Sequence, residues 1–418
     1  MPISLFQKRF TENAGIVNLM DDLGVAQTGN RNTLMLGGGN PAHIPEVLQF
    51  FQERMERLAH NPVELAHVAG DYSPPQGNVK FIESLARLFR KQYGWDIGPG
   101  NIALSTGSQT AFFMLFNMFA GEYEDGTHRQ ILLPLVPEYI GYSDVCLADN
   151  CLKANLPLVE ILDDHEFKYH VDFSQLQPGP DIGAICVSRP TNPTGNLIPD
   201  EQMDRLSELA RSCNLPLIID YAYGMPFPNI LFSRASMAWE PHMILCMSLS
   251  KLGLPGVRTG IIIANEQLIA AISKMNAIIS LAPGNFGPAL ALDLVATGDI
   301  LGLCNNVIKP FYQRKAVLAA AILKRELAGV DFYIHKTEGA LFLWLWLPGL
   351  PGGCEQLYQR LKARSVLIVP GHYFFPGLGS DWSHRHECIR ISYAMHDTVV
   401  EQGLKVIAEE IKKITRGG

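Results

Sequence analysis

Residues 183–223 read GAICVSRPTNPTGNLIPDEQMDRLSELARSCNLPLIIDYAY. The stretch opens on the apolar run GAICVS (183–188) and breaks at Pro190 and Pro193. It resumes as PDEQMDRLSELARSCN (199–214), where Met203, Leu206, Leu209 and Ala210 recur at helical spacing behind an acidic first turn. It closes on a second apolar run, LPLIID (215–220). Two short, uninterrupted apolar runs joined by an amphipathic helix are the signature of parallel strands buried on both faces and linked by a crossover. The stretch therefore predicts a βαβ unit.

Working outward, ILLPLV (131–136), MILCMS (243–248) and GIIIA (260–264) repeat the apolar pattern. Residues from about 100 to 265 thus predict an α/β region with a mostly parallel central sheet covered by helices. Past Pro310 the texture changes to a long helix (about 311–328), four strand-like runs (VDFYIH, ALFLWLW, VLIVP and CIRISY) and a closing helix from Asp397 to Thr415. This predicts a smaller α+β domain. The expected division is a large domain over 44–298 and a small one over 299–418. Residues 1–43, with Gly37, Gly38, Gly39 and Pro41, are expected to thread along or between them.

Composition narrows the function classes. The chain has 418 residues, 47% hydrophobic and 18% charged, a balance that suits a folded protein and excludes a disordered one. Its formal charge is 34 − 41 = −7, with both signs interleaved, so no electrostatic footprint for nucleic acid or an anionic membrane is present. The longest apolar stretches fall well short of the ~20 residues that span a bilayer. The start, MPISLFQKRFTENAG, carries no hydrophobic leader, which predicts a cytoplasmic protein acting on small molecules. The eight cysteines are scattered without a CxxC pair and are expected to be reduced core residues. His384 and His386 form an HxH with no carboxylate or third histidine at ligand spacing. That segment is expected to be a polar loop, and no metal site is expected.

In an open parallel sheet, ligands bind beyond the carboxyl ends of the strands, so the residues following each apolar run carry the chemistry. After MILCMS come Ser248, Ser250, Lys251, Gly256 and Arg258. A lysine just past a buried strand, near an arginine, can lose enough solvation to lower its pKa and suit Schiff-base chemistry. LPLIID ends in Asp220, three residues before Tyr223, and GAICVS leads into Asn192-Pro193-Thr194-Gly195. Gly107, Ser108 and Gln109 open an apolar helix whose free N–H groups favour an anion. Singly, each segment is also an ordinary turn or cap.

Together, and in this order, the segments resemble the fold-type I aminotransferases that use pyridoxal phosphate, and the likeness spans nearly the whole chain. The resemblance implies that Lys251 carries the cofactor and that Asp220 binds its ring nitrogen. Tyr223 and Asn192 would meet the phenolic oxygen, and Tyr139 would lie on the ring. Gly107, Ser108, Gln109, Ser248, Ser250 and Arg258 would hold the phosphate, with Tyr72 reaching that of a neighbouring subunit in a homodimer with shared active sites. Arg390, in Cys-Ile-Arg-Ile-Ser, would grip the substrate α-carboxylate, with Gly39 and Asn192 beside it. Lys251, Asp220 and Tyr223 would be the catalytic set. One departure is Tyr221, where the family pattern leads us to expect Asn; strand alternation turns it away from Asp220.

Longer segments, among them MLGGGNPA, PEYIGY, CMSLSKLGLPG and IHKTEGALFLWLWLP, resemble the branch of that family acting on valine and pyruvate. The implied chemistry is transfer of an amino group between amino acids and 2-oxo acids, with 3-methyl-2-oxobutanoate and alanine as products. The same residues also serve aminotransferases of other aliphatic or aromatic specificity and 1-aminocyclopropane-carboxylate synthase-like lyases. A third class, effector-sensing regulators, carries a DNA-binding domain ahead of the fold, and only about 40 residues precede it here. No lysine or arginine lies between Lys274 and Lys309, the region where dicarboxylate-specific relatives supply a second arginine. Small aliphatic donors are therefore expected.

Overall fold

The predicted βαβ unit forms as read: Ile182–Ser188 and Leu217–Asp220 are adjacent parallel strands, with the helix Asp200–Ser212 crossing between them. A computed structural model describes residues 3–11, 33–162 and 165–416. The strands extend into a sheet ordered Ile102–Ser105, Gly260–Ile263, Met243–Ser248, Leu217–Asp220, Ile182–Ser188, His128–Leu133 and Gly121–Glu122, with Leu152–Ala154 also paired to His128–Leu133. Its central strands are buried along their whole length, which is why they read as continuous apolar runs instead of alternating ones.

Two features of this sheet were not read from the sequence. Ile102–Ser105 is a strand, and Gly260–Ile263 runs antiparallel to both of its neighbours. That reversal brings Gly260 level with both Ser105 and Ser248, at the same edge where Ser188 and Asp220 end. Five strand ends therefore meet on one side of the sheet.

The second sheet is ordered Val369–Pro370, Cys388–Ser392, Phe342–Trp346, Tyr333–His335, Glu166–His170 and Leu158–Ile161. The helices Lys309–Glu326 and Asp397–Arg416 pack against each other beside it, as the sequence predicts. Its last two strands come from residues 158–170, inside the stretch expected to belong to the large domain, and Glu166–His170 pairs in parallel with Tyr333–His335.

Of the N-terminal segment, Leu34–Met35 pairs with Val366–Leu367, and Ala42 donates its N–H to the Tyr312 hydroxyl at 2.7 Å. The remainder of the threading expectation, over residues 12–32, lies outside the described residues. Among the described residues no single helix is long and apolar enough to cross a membrane. All eight cysteines are free thiols, seven of them buried; Cys213, at the end of the crossover helix, is exposed.

The HxH segment departs from the polar-loop expectation. His384 is buried, hydrogen-bonded to the Tyr169 hydroxyl and stacked on Trp382 at 4.3 Å, because the turn that carries it folds under the aromatic side of the second sheet. His386, two residues on, faces solvent.

Candidate active site

The converging strand ends open into a cavity lined by most of the residues singled out above: Gly39, Ser108, Gln109, Tyr139, Asn192, Asp220, Tyr223, Ser248, Ser250, Lys251, Arg258 and Arg390. Gly107 forms the N-cap of the helix Ser108–Phe119 at its rim. Tyr72 does not line the cavity; it stands 82% exposed on the surface. Tyr221 is buried away from the cavity, as strand alternation predicts.

Lys251 sits in a short 3-10 turn, Ser250–Leu252, directly after the strand Met243–Ser248. Ser248 ties that turn down: its hydroxyl lies 2.9 Å from the Ser250 hydroxyl and accepts the Ser250 N–H at 3.1 Å. The Lys251 ammonium donates to the Gly39 carbonyl at 2.5 Å. Burial, then the positive charges of Arg390 and Arg258, push its pKa down to about 8. Such a lysine is a usable nucleophile and base near neutral pH.

Asp220, at the end of its strand, is buried. One of its carboxylate oxygens accepts the Ala222 N–H at 2.8 Å and the other accepts the Tyr142 hydroxyl at 2.9 Å. Burial raises its pKa to about 6 against those stabilising bonds. Tyr142 escaped the sequence reading. Its signal was its position in PEYIGY, where the 3-10 turn Ile140–Tyr142 carries the second tyrosine inward under the first; the two rings meet edge to face at 5.4 Å. Glu138, in the same segment, was missed as well. It is fully buried, accepts the Ser188 N–H at 2.8 Å and bonds the Ser188 hydroxyl, and burial pushes its carboxyl up to about 8.

Arg390 is buried in the strand Cys388–Ser392. Its terminal nitrogens donate to Asn192 Oδ1 and to the Gly37 carbonyl, each at 2.7 Å, and its guanidinium lies 4.1 Å from the Phe342 ring centre. Its Nε is buried with no partner. A buried guanidinium held by neutral acceptors, with one donor left over, is a site for an anion.

A second part of the lining is also built for an anion. Gly107 has φ +84°, and a Cβ there would lie 2.2 Å from Arg258 Nη2, so the arginine head rests directly on the helix N-terminus. Among the described residues Arg258 has no carboxylate partner; its one hydrogen bond goes to the Pro255 carbonyl. Helix N–H groups, the serine pair and an unpaired guanidinium form a cradle for a phosphate. Asp220 lines the same cavity and offers a buried carboxylate to a cationic ring nitrogen. The residues present therefore fit pyridoxal phosphate.

Comparison with known proteins bears on the family and the fold. The family model for class I and II aminotransferases matches residues 32–407. The chain is 50% identical over 415 residues to the valine–pyruvate aminotransferase of Escherichia coli (strain K12), covering 99% of each protein. The crystal structure of valine–pyruvate aminotransferase from Salmonella typhimurium LT2 matches with a TM-score of 0.89 at 51% identity, over 97% of this chain and 100% of that one. The α-aminoadipate aminotransferase of Thermus thermophilus, complexed with N-(5'-phosphopyridoxyl)-L-leucine, matches with a TM-score of 0.77 at 21% identity, over 100% of this chain and 98% of that one. At that identity the likeness is one of fold.

Proposed function

The chain belongs to the class I and II aminotransferase family, and on that premise we propose that it is a pyridoxal-phosphate enzyme moving the amino group of valine to pyruvate, with 3-methyl-2-oxobutanoate and alanine as products. The observation that carries this reading is the convergence of Lys251, Asp220 and Arg390 on one cavity whose lining also includes the anion-binding group Ser108, Ser248, Ser250 and Arg258. Full-length similarity to enzymes named for valine and pyruvate supports the substrate pair.

When bound, pyridoxal phosphate supplies an electron sink for the pair left behind as the substrate Cα loses its proton. The protein supplies the remainder. Gly107, Ser108, Gln109, Ser248, Ser250 and Arg258 hold the phosphate. Asp220, oriented by Tyr142 and the Ala222 N–H, keeps the ring nitrogen protonated. Tyr139 would pack on the ring, and Asn192 and Tyr223 would hydrogen-bond its phenolic oxygen. The Arg390 fork would take the substrate α-carboxylate beside Gly39 and Asn192, in the cavity that Lys251 also lines. The Lys251 amine would hold the cofactor and, once free, would move the proton from Cα as base and acid. One site serves both half-reactions in turn, so the kinetics are ping-pong.

Selectivity follows from the cations present. Lys251, Arg258 and Arg390 are the only lysines or arginines lining the cavity among the described residues, and each is committed to the cofactor or the α-carboxylate. An acidic side chain would be buried unpaired, at a cost of several kcal/mol. The test is the half-reaction without acceptor. Valine should convert the cofactor spectrum to that of pyridoxamine phosphate, pyruvate should restore it, and aspartate should react far more slowly. Turnover of the amino acid with no spectral change belongs to a lyase and would overturn the reading, as would preference for aspartate.

The enzyme acts as a homodimer in the cytoplasm in this reading. Tyr72 on the surface supports the first inference and the free thiols support the second. We also keep the division into bodies over 44–298 and 299–418, with the hairpin of residues 158–170 counted with the second through its strand pairing.

A further inference from the structure

Outside the cavity lining, the fold brings together three side chains able to ligate a metal, carried on three separate turns. Cys354 stands in the first turn of the helix Gly353–Ala363, His372 in the 3-10 turn Gly371–Phe374, and His386 at the end of the turn Ser383–His386. One ligand atom from each lies within 4.8 Å of the other two. Cys354 Sγ and His372 Nδ1 are 3.4 Å apart. Zinc bonds of about 2.3 Å to sulfur and 2.0–2.1 Å to nitrogen place tetrahedral S and N ligands roughly 3.5 Å apart, so this pair already has ligand spacing. His386 is exposed, and rotation of its side chain can close the remaining distance.

The local backbone is shaped for this approach. A Cβ on Gly353 would stand 3.3 Å from the His386 carbonyl, and one on Gly371 would strike the Cys388 carbonyl at 2.4 Å. The two glycines let the helix start and the His372 turn press against the segment that carries His386. His386 Nε2 accepts a hydrogen bond from Arg385 Nε at 2.9 Å, so that ring nitrogen presents its lone pair. Cys354 and His386 also line one surface groove, which gives an ion a way in.

We propose that Cys354, His372 and His386 bind one divalent ion of the zinc class, with water from the groove in the fourth position. Binding displaces the thiol proton to solvent and Arg385 from His386, whose guanidinium keeps Asp381, 3.6 Å away, as its partner. Two residues past His372, Phe374 lies 5.1 Å from the Arg390 guanidinium, so the ion steadies a turn that backs the substrate clamp.

Cobalt(II) is the probe, because zinc has a filled d shell and no visible spectrum. The cofactor-loaded full-length protein, dialysed against a chelator, should take up one cobalt per chain with a thiolate-to-metal charge-transfer band. Cys354→Ser should abolish the band, and Cys213→Ser, which removes the exposed thiol, should keep it. His386→Gln, at an exposed position that leaves folding intact, should weaken binding by at least about tenfold, the loss seen on removing even an outer-shell partner. Absence of the band in the parent protein, its survival in Cys354→Ser, or unchanged affinity in His386→Gln would each overturn the proposal.

Discussion

Lys251 can work near neutral pH because its ammonium is partly buried between two guanidinium groups, with the Asp220 carboxylate as the opposing charge. Lys251→Ala should therefore give a folded protein that still takes up pyridoxal phosphate but cannot be fixed to it by borohydride, and turnover should be lost. Near-normal turnover in that variant would remove Lys251 from the mechanism. Glu138 makes a second residue-scale prediction, through stability. Its carboxyl titrates near 4.5 when unfolded and near 8 when folded, because burial penalises the charged form. Between those values the unfolded chain binds fewer protons than the folded one, so this group makes stability fall as pH rises from about 4.5 to 8. Glu138→Gln cannot ionise. Its melting temperature, followed from about pH 5 to 8.5, should decline less than that of the parent protein; parallel curves would mean that Glu138 is already charged in the fold.

At the scale of elements, the hairpin of residues 158–170 ties the site's loop to the second sheet. Lys168, on its second strand, is buried and donates to Asn196 Oδ1 at 3.1 Å, to the Leu197 carbonyl at 3.0 Å and to buried Glu338, which also accepts the Leu197 N–H at 3.1 Å. Removing one partner leaves an uncompensated buried charge, a loss of about 3–5 kcal/mol, whereas replacing both with apolar groups of similar volume is often neutral. Lys168→Met should be strongly destabilising in urea, and Lys168→Met with Glu338→Leu should recover most of the loss. Additive losses would show that the pair acts through packing alone. The same hairpin marks where sequence stops being informative. Leu217–Asp220 and Met243–Ser248 announce themselves because strands buried on both faces must be apolar throughout. Leu158–Ile161 is mostly exposed and its local pattern says nothing about which sheet it joins. That choice is made by Tyr333–His335, more than 160 residues further along the chain. The site divides in the same way. Lys251, Asp220 and Arg390 follow or occupy apolar strands and were legible. Tyr142, Glu138 and the Cys354–His372–His386 cluster acquire their roles only through contacts between distant turns.

At the scale of the whole molecule, large apolar side chains stand exposed on and around the loop that carries Tyr72. Tyr72 is 82% exposed, Ile278 88% and Leu281 61%, with Val63 and Val79 also outside. Two hydrogen bonds join the segments that carry Tyr72, Ile278 and Leu281: Asn285 donates to the Asp71 carbonyl at 3.1 Å, and Asn276 to the Pro75 carbonyl at 2.9 Å. The loop bearing Tyr72 is thus fastened to the helices on either side of Leu281. A second copy covering these apolar side chains would remove them from water at about 25 cal/mol per Å² and could bring its own Tyr72 toward the phosphate cradle around Arg258. Subunit association and cofactor retention would then be coupled. Ile278→Asp puts a charge at the most exposed apolar position and should shift the protein from dimer to monomer in analytical ultracentrifugation. The same variant should lose pyridoxal phosphate faster on dilution. Tyr72→Phe removes only the hydroxyl, so it should leave the dimer intact while weakening cofactor binding by the roughly 0.5–1.5 kcal/mol of one hydrogen bond. A monomeric parent protein, or a Tyr72→Phe variant that holds the cofactor as tightly as the parent, would place the phosphate site wholly within one chain.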